Sequence, residues 1–262
     1  MCAGASVMLR LDDICLARNG QAIIANAGLH VPGGTMLAIL GPNGAGKTSL
    51  LQIAAGLVSP DSGSVVFGDG ADFANVTLRA RRIAYLPQSA EIVWPMACRD
   101  IVALGRLPHQ TGLRLRDEDA LAIEAAMVAC AADCFADRPI DTLSGGEQAR
   151  VMLARLLATQ ADILLLDEPL QSLDPAAQMA MLDVLQRQAR NGRSVVVIMH
   201  DINLARHYCD HAVLMKQGRI EAAGPVDEVL SATRLGTIFG IDYAETGTGQ
   251  ARWLHPVRDI KG

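Results

Sequence analysis

Gly41-Pro42-Asn43-Gly44-Ala45-Gly46-Lys47-Thr48-Ser49 follows the apolar run Met36-Leu37-Ala38-Ile39-Leu40 and opens a helix-like stretch at 47–55. The segment fits G-x-x-x-x-G-K-[ST] in the strand-then-helix context that pattern requires. Its glycines let the backbone curl until successive N–H groups point inward at phosphate oxygens, and the helix N-terminus reinforces them. Lys47 is spaced to reach the β- and γ-phosphates of a nucleotide, and the Thr48 hydroxyl to hold Mg²⁺. Lysine is scarce: Lys47, Lys216 and Lys261 are the only lysines among 23 basic residues. Where any positive charge serves, this chain uses arginine, so Lys47 stands out as a residue needed for its own chemistry.

Toward the N-terminus, residues 7–11 and 63–67 read as short strands, with turns at Pro32–Gly34 and Asp61–Gly63. Toward the C-terminus the strand–helix order repeats: strand 163–167, helix 175–190, strand 194–199, helix 202–208, strand 212–215. Such alternation implies a mostly parallel sheet covered on both faces. Between about 90 and 160 the strand signal vanishes, and Ala/Leu-rich helices (117–135 and 146–159) take over. The sequence therefore predicts a single α/β domain over 1–262. A P-loop core with a small N-terminal antiparallel β subdomain spans 1–89 and 160–262, and a helical subdomain is inserted at 90–159.

The 262 residues are 50% hydrophobic and 19% charged, enough to bury a sizeable core. Aromatic residues are only 3%, so the core is aliphatic, and a base-stacking surface for single-stranded nucleic acid is disfavoured. A net charge of −5 and a pI near 5.7 point the same way, and no nucleic-acid partner is predicted. Apolar runs such as Ile163–Leu166 and Val195–Met199 fall far short of the ~18 residues of a membrane span. Met1–Val7 is short and uncharged, unlike a secretory signal. Six scattered cysteines without CxxC spacing read as reduced, mostly buried thiols of a cytosolic protein.

Ile163-Leu164-Leu165-Leu166-Asp167-Glu168-Pro169 is a buried strand ending in two acids. Ligands of open α/β sheets sit at C-terminal strand ends, so both carboxylates face the phosphate turn. Adjacent residues leave a strand in different directions. Asp167 can then serve Mg²⁺ while Glu168 addresses the water that attacks the γ-phosphate. Alone, an acid-capped apolar strand is a solvated strand end; the phosphate turn tips the reading. Leu143-Ser144-Gly145-Gly146-Glu147-Gln148 precedes a helix with the S-x-x-E spacing of a capping box. Yet two glycines in a first turn weaken a helix by ~1 kcal/mol each, which a mere cap does not require. Bare N–H groups at a helix start make an anion site.

Taken in order, these motifs resemble the ATP-binding subunits of ABC transporters over essentially the whole chain. They are the phosphate turn, Gln88 in Leu86-Pro87-Gln88, LSGGEQ at 143–148, the LLLDEP strand end, Ser172-Leu173-Asp174 and the strand-ending His200. Ala103-Leu104-Gly105-Arg106-Leu107-Pro108-His109 and the run from His200 to Asp210 resemble one branch, which energises importers of iron–siderophore, haem or cobalamin. The resemblance implies a head-to-tail homodimer with two ATP molecules at the interface. Each ATP, with Mg²⁺, would meet Gly41, Pro42, Asn43, Gly44, Ala45, Gly46, Lys47, Thr48 and Ser49 of one copy. It would also meet that copy's Asp167, Glu168, Gln88 and His200, and Ser144, Gly145 and Gly146 of the other. Glu168, His200 and Gln88 would be catalytic, Thr48, Asp167 and Gln88 would hold the metal, and Asp174 would cross the interface. The implied partners are polytopic permease subunits and, through them, a periplasmic or lipid-anchored substrate-binding protein. The implied location is peripheral, on the cytoplasmic side of the inner membrane.

A soluble ABC ATPase of iron–sulfur cluster assembly is the alternative of matching size, and the Gly-Arg-Leu-Pro-His segment favours transport over it. A DNA-repair or chromosome ATPase would place a long coiled coil between the phosphate turn and LSGGE, and the intervening segment is too short for one. Arg18 stands where the family stacks an aromatic on adenine; it could stack likewise or be a solvated arginine. Leu170-Gln171 replaces the small polar pair that usually follows Glu-Pro. His207 and His211, at i and i+4 near Cys209, read as an exposed helix face rather than a metal site. Cys130 and Cys134 read as the core of an Ala-rich helix. Trp94, Pro95, Met96 and Leu104 fall within 92–109, which is either a docking surface for the permease or core.

Overall fold

A computed structural model describes residues 7–88, 95–110, 116–247 and 252–257. Strands β1 (Val7–Arg18) and β2 (Gln21–Pro32) form a long antiparallel pair. Strand β3 (Met36–Leu40) leads into α1 (Lys47–Ala54), and β4 (Ser62–Phe67) returns to the other edge of β1. Next come α2 (Val76–Arg82), β5 (Ile83–Leu86), and the helices α3 (Cys98–Ala103), α4 (Asp117–Ala129) and α5 (Gly145–Ala158). The α/β alternation resumes with β6 (Ile163–Leu166), α6 (Pro175–Arg190), β7 (Ser194–Ile198), α7 (Ile202–Tyr208) and β8 (His211–Lys216). Strand β9 (Arg219–Pro225), helices α8 (Val226–Val229) and α9 (Ala232–Phe239), and the pair β10 (Tyr243–Thr246) and β11 (Trp253–Pro256) follow.

The main sheet has the order β5-β6-β7-β3-β8-β9, parallel except for the antiparallel edge strand β9. Every residue of β3, β6 and β7 is buried, as strands covered on both faces must be. Their side chains divide by the period of two. Met36, Ala38, Leu40, Leu164, Leu166, Val195 and Val197 join the core shared with the helices α3 to α6. Leu37, Ile39, Ile163, Leu165, Val196 and Ile198 face α1 and the small β1-β2-β4 sheet. At roughly 1.5–3 kcal/mol for each fully buried aliphatic side chain, this layering is the main force holding the strand ends in register.

Several expectations need correction. The helix expected over 117–135 ends at Ala129; Ala131 turns left-handed (φ 50°), and a separate short turn covers Asp133–Phe135. Cys130 and Cys134 therefore share no helix, and Cys134 is exposed. His207 lies in α7, but Cys209 is already extended and His211 begins β8, so the pair forms no helix face. The first strand runs to Arg18 rather than residue 11, and β2 carries no clean alternation in the sequence. Its pairing slips between Ile24 and Ala27, where Asn26 takes a left-handed φ of 55°. That bulge shifts the buried positions by one and hides the period of two.

Candidate active site

The turn after β3 is held open by backbone geometry. Gly46 takes φ 95°, and a Cβ there would sit 2.8 Å from the Ile23 carbonyl oxygen, so only glycine closes the turn against β2. Helix α1 starts directly behind it at Lys47 with no acidic residue in its first turn. Its leading N–H groups, which have no intrahelical acceptors, therefore form a candidate anion site. Lys47 is 5% exposed, and its Nζ donates to the carbonyls of Gly41 (2.8 Å) and Pro42 (3.0 Å). Burial lowers the Lys47 pKa, and the nearby Glu168 and Asp167 charges partly restore it.

The parallel register of β6 between β5 and β7 brings three strand ends to this turn. Asp167 is 1% exposed and takes two hydrogen bonds: Thr48 Oγ1 donates to its Oδ1 (3.1 Å) and the Tyr85 hydroxyl to its Oδ2 (3.2 Å). Burial pushes the Asp167 carboxyl up, against the two hydrogen bonds and Lys47. The same burial, with the Asp167 charge, lifts Tyr85 to about 12, so its hydroxyl keeps its proton as a donor. A hydroxyl and a buried carboxylate 3.1 Å apart are hard oxygen donors suited to Mg²⁺, and the cation would offset the cost of burying Asp167.

Glu168 sits at φ 49°, a left-handed conformation costly for a non-glycine residue. Its carboxylate is held at both oxygens: His200 Nε2 lies 2.8 Å from Oε1, and Gln88 Nε2 donates to Oε2 at 3.0 Å. The Gln88 amide also donates to Gln171 Oε1 at 3.0 Å. Asn43, Gly44, Ala45, Gly46, Lys47, Thr48, Ser49, Gln88, Glu168 and His200 line one cleft of about 460 Å³, with Ile23 and Gln171 completing the wall.

The cleft lining does not include Ser144, Gly145, Gly146 or Asp174. Ser144 caps α5 in a reciprocal box: Glu147 N donates to its Oγ (3.4 Å), and its own N–H donates to Glu147 Oε2 (2.8 Å). Asp174 caps α6, accepting from Ala177 N at 2.9 Å. Arg18 is exposed at the β1–β2 turn, outside the cleft lining. Tyr85 and Gln171 were not foreseen as site residues. Tyr85 alternates with buried neighbours on an apolar strand, and only the departure at Leu170-Gln171 marked the second.

A family model described as ABC transporter matches residues 24–171, more than half of the chain. The chain belongs to the ABC transporter family. This ABC ATPase is 39% identical over 241 residues to the hemin import ATP-binding protein HmuV of Pseudomonas aeruginosa, covering 90% of this chain and 93% of that one. It is 38% identical over 258 residues to the protein of the same name from Rhodococcus jostii, covering 97% and 88%. Among solved structures, a metal-chelate type ABC transporter in an inward-facing conformation superposes with a TM-score of 0.83 at 23% identity, over 96% and 97% of the two chains, and shows the fold. A dimeric ATP-binding cassette bound to ADP and Pi superposes with a TM-score of 0.73 at 26% identity, over 84% and 99%. Among the described residues of this ABC ATPase, no helix is long and apolar enough to cross a membrane.

Proposed function

We propose that this ABC ATPase hydrolyses ATP to drive an importer of an iron chelate, and specifically of haem. The observation that carries the cargo is the run of hemin-import relatives aligned over about nine-tenths of both chains. The same names favour import over iron–sulfur assembly. The partners are then permease subunits on the cytoplasmic side of the membrane, with a binding protein supplying cargo through them. A groove of about 470 Å³ between α2 and α5 supports the permease reading. Its rim exposes Leu57, Val76, Leu104 and Leu107, the sort of apolar surface a partner covers. Of the stretch 92–109, residues 92–94, including Trp94, lie outside the described residues; Met96 packs partly buried against the core.

In this reading the first turn of α1 and the Gly41–Ser49 loop take the ATP phosphates. Lys47 exchanges its two backbone carbonyl partners for phosphate oxygens. Thr48, Asp167 and Gln88 hold Mg²⁺, which when bound neutralises charge on the phosphates. Glu168 polarises the attacking water, and His200 and Gln88, already hydrogen-bonded to it, keep its carboxylate aimed into the cleft. Ser144, Gly145 and Gly146 complete the site of a second copy, and Asp174 faces the interface. Two observations support that division. Ser144 and Gly146 line neither their own chain's cleft nor the pocket that adjoins it at Gln88 and Glu168, and Gly145 lines only the latter. A Cβ added at Gly145 would meet nothing within 4 Å, and at Gly146 only Ala177 Cβ at 3.8 Å, so packing among the described residues of this chain does not itself require glycine there.

Glu168→Gln tests the chemistry, because it keeps size and hydrogen bonding but removes the proton-accepting charge. Hydrolysis is expected to fall by the ~10²–10⁴-fold of a lost general base, with ATP affinity retained. Size-exclusion chromatography of the variant with ATP and Mg²⁺ is expected to show a dimer that ADP does not support. Parental hydrolysis would refute the role of Glu168, and an ATP-filled monomer would refute the shared site. For the cargo, a strain lacking this chain is expected to stop growing on haem as sole iron source; growth at the parental rate would remove the haem assignment.

A further inference from the structure

Gln171 belongs to the pair Leu170-Gln171, one of the two departures of this sequence from its family pattern, and the structure gives it a partner. Gln88 Nε2 lies 3.0 Å from Glu168 Oε2 and 3.0 Å from Gln171 Oε1. A primary amide has two N–H donors on one end and an acceptor oxygen on the other. With both donors directed at these two acceptors, the end of Gln88 that remains is its carbonyl oxygen. The distinction matters, because a hard cation is bound by the oxygen and not by the NH₂ group. Glu168 alone engages one donor and leaves the amide free to swing about that bond. Two acceptors define its plane.

We propose that Gln171 is a positioning residue: it pins the Gln88 amide so that the carbonyl oxygen, rather than the NH₂ group, faces the Mg²⁺ position. This rests on the reading of Gln88 given under Proposed function. A merely structural role for the Gln171 side chain is not what the turn requires. The turn that carries it is held by the Gln178 amide, which donates to the carbonyls of Leu170 and Leu173, both at 3.2 Å. The Gln171 backbone adds an N–H bond to the Glu168 carbonyl at 3.2 Å. The side chain itself is exposed and lines the cleft.

The test is nucleotide binding rather than turnover, read with a fluorescent ATP analogue titrated with and without Mg²⁺. Gln171→Met keeps the length and removes the amide. It is expected to bind the analogue without metal as tightly as the parent, to melt at the same temperature, and to lose roughly 2- to 10-fold of the Mg²⁺-dependent gain in affinity, the factor carried by one net hydrogen bond. In a Gln88→Ala background the same change is expected to have no further effect, since the positioned group is gone. A Gln171→Met chain with the parental Mg²⁺ gain overturns the proposal, and so does an equal loss in the Gln88→Ala background. If the parent itself binds the analogue with no metal dependence, the metal role of Gln88 falls first and this assignment with it.

Discussion

At the scale of single residues, burial and hydrogen bonding oppose each other at Asp167. Taking a carboxylate out of water is unfavourable, and three neighbours oppose that cost: Thr48, Tyr85 and Lys47. Tyr85 is the member that no motif announces. Tyr85→Phe keeps the ring that fills the space and deletes the donor to Asp167 Oδ2. Hydrogen bonds to charged groups carry about 1.5–3 kcal/mol. Asp167 is 1% exposed, so little water replaces the bond; steady-state ATP hydrolysis is expected to drop roughly 10- to 100-fold, and the melting temperature to fall by several degrees. Unaltered hydrolysis would show that Thr48 and Lys47 suffice to hold the carboxylate.

At the scale of elements, the segment Gly105-Arg106-Leu107-Pro108-His109 acts as a clamp on the C-terminal end of α5, the helix whose N-terminus carries Ser144 and the two glycines. Gly105 lies so close to the Arg155 carbonyl that no Cβ fits. Arg106 is buried; its Nη1 donates to the Ala158 carbonyl (2.8 Å) and to Gln160 Oε1 (3.0 Å), and its Nε to Asp119 (2.9 Å). His109 Nε2 lies 2.8 Å from the Thr159 carbonyl. A cationic group at a helix C-terminus satisfies open carbonyls and meets the favourable end of the dipole. Burial alone would raise the Asp119 carboxyl, but the Arg106 and Arg116 contacts more than compensate and hold it below the usual carboxylate range. Arg106→Ala leaves Asp119 buried without its main partner, and such a break costs about 3–5 kcal/mol. The depressed carboxyl contributes in full above its unfolded-state value, and that contribution is lost as pH falls through its folded value. Melting curves are therefore expected to show a strongly destabilised variant at neutral pH and a smaller gap from the parent in acid. A gap that does not depend on pH would show that Asp119 is not the group responsible.

At the scale of the whole molecule, helices and the small β1-β2-β4 sheet cover the two faces of a mostly parallel sheet, with the cleft at the strand ends and an apolar groove between α2 and α5. Leu107 sits on that groove rim at 58% exposure, clear of the cleft lining, and belongs to the segment that clamps α5. Leu107→Asp is expected to leave ATP hydrolysis by the isolated chain within about 2-fold of the parent, as exposed substitutions generally cost little stability. Haem-dependent growth of the host carrying it is expected to fail if this groove is the permease contact proposed above, because a charge would then be driven into an apolar interface. Normal growth would move the permease contact elsewhere on the surface.

Much of this was legible from residue order alone. The phosphate turn, the acid-capped strand and the LSGGEQ helix start depend on local physics: glycine geometry, strand alternation and helix capping act within a few residues, so their spacing is written in the chain. Helices α6 and α7 were predicted at their observed limits for the same reason. Strand β2 was not, because its bulge is imposed by pairing with β1, and the end of α4 was missed because a left-handed alanine has no composition signal. The partnership of Tyr85 with Asp167 and of Gln171 with Gln88 joins residues more than eighty positions apart. Chain order marked out the candidate residues and the local elements that carry them. Only the register of β6 against its neighbours decided which of them touch, because hydrogen bonds act over about 3 Å and the distance between those residues is set by the packed sheet.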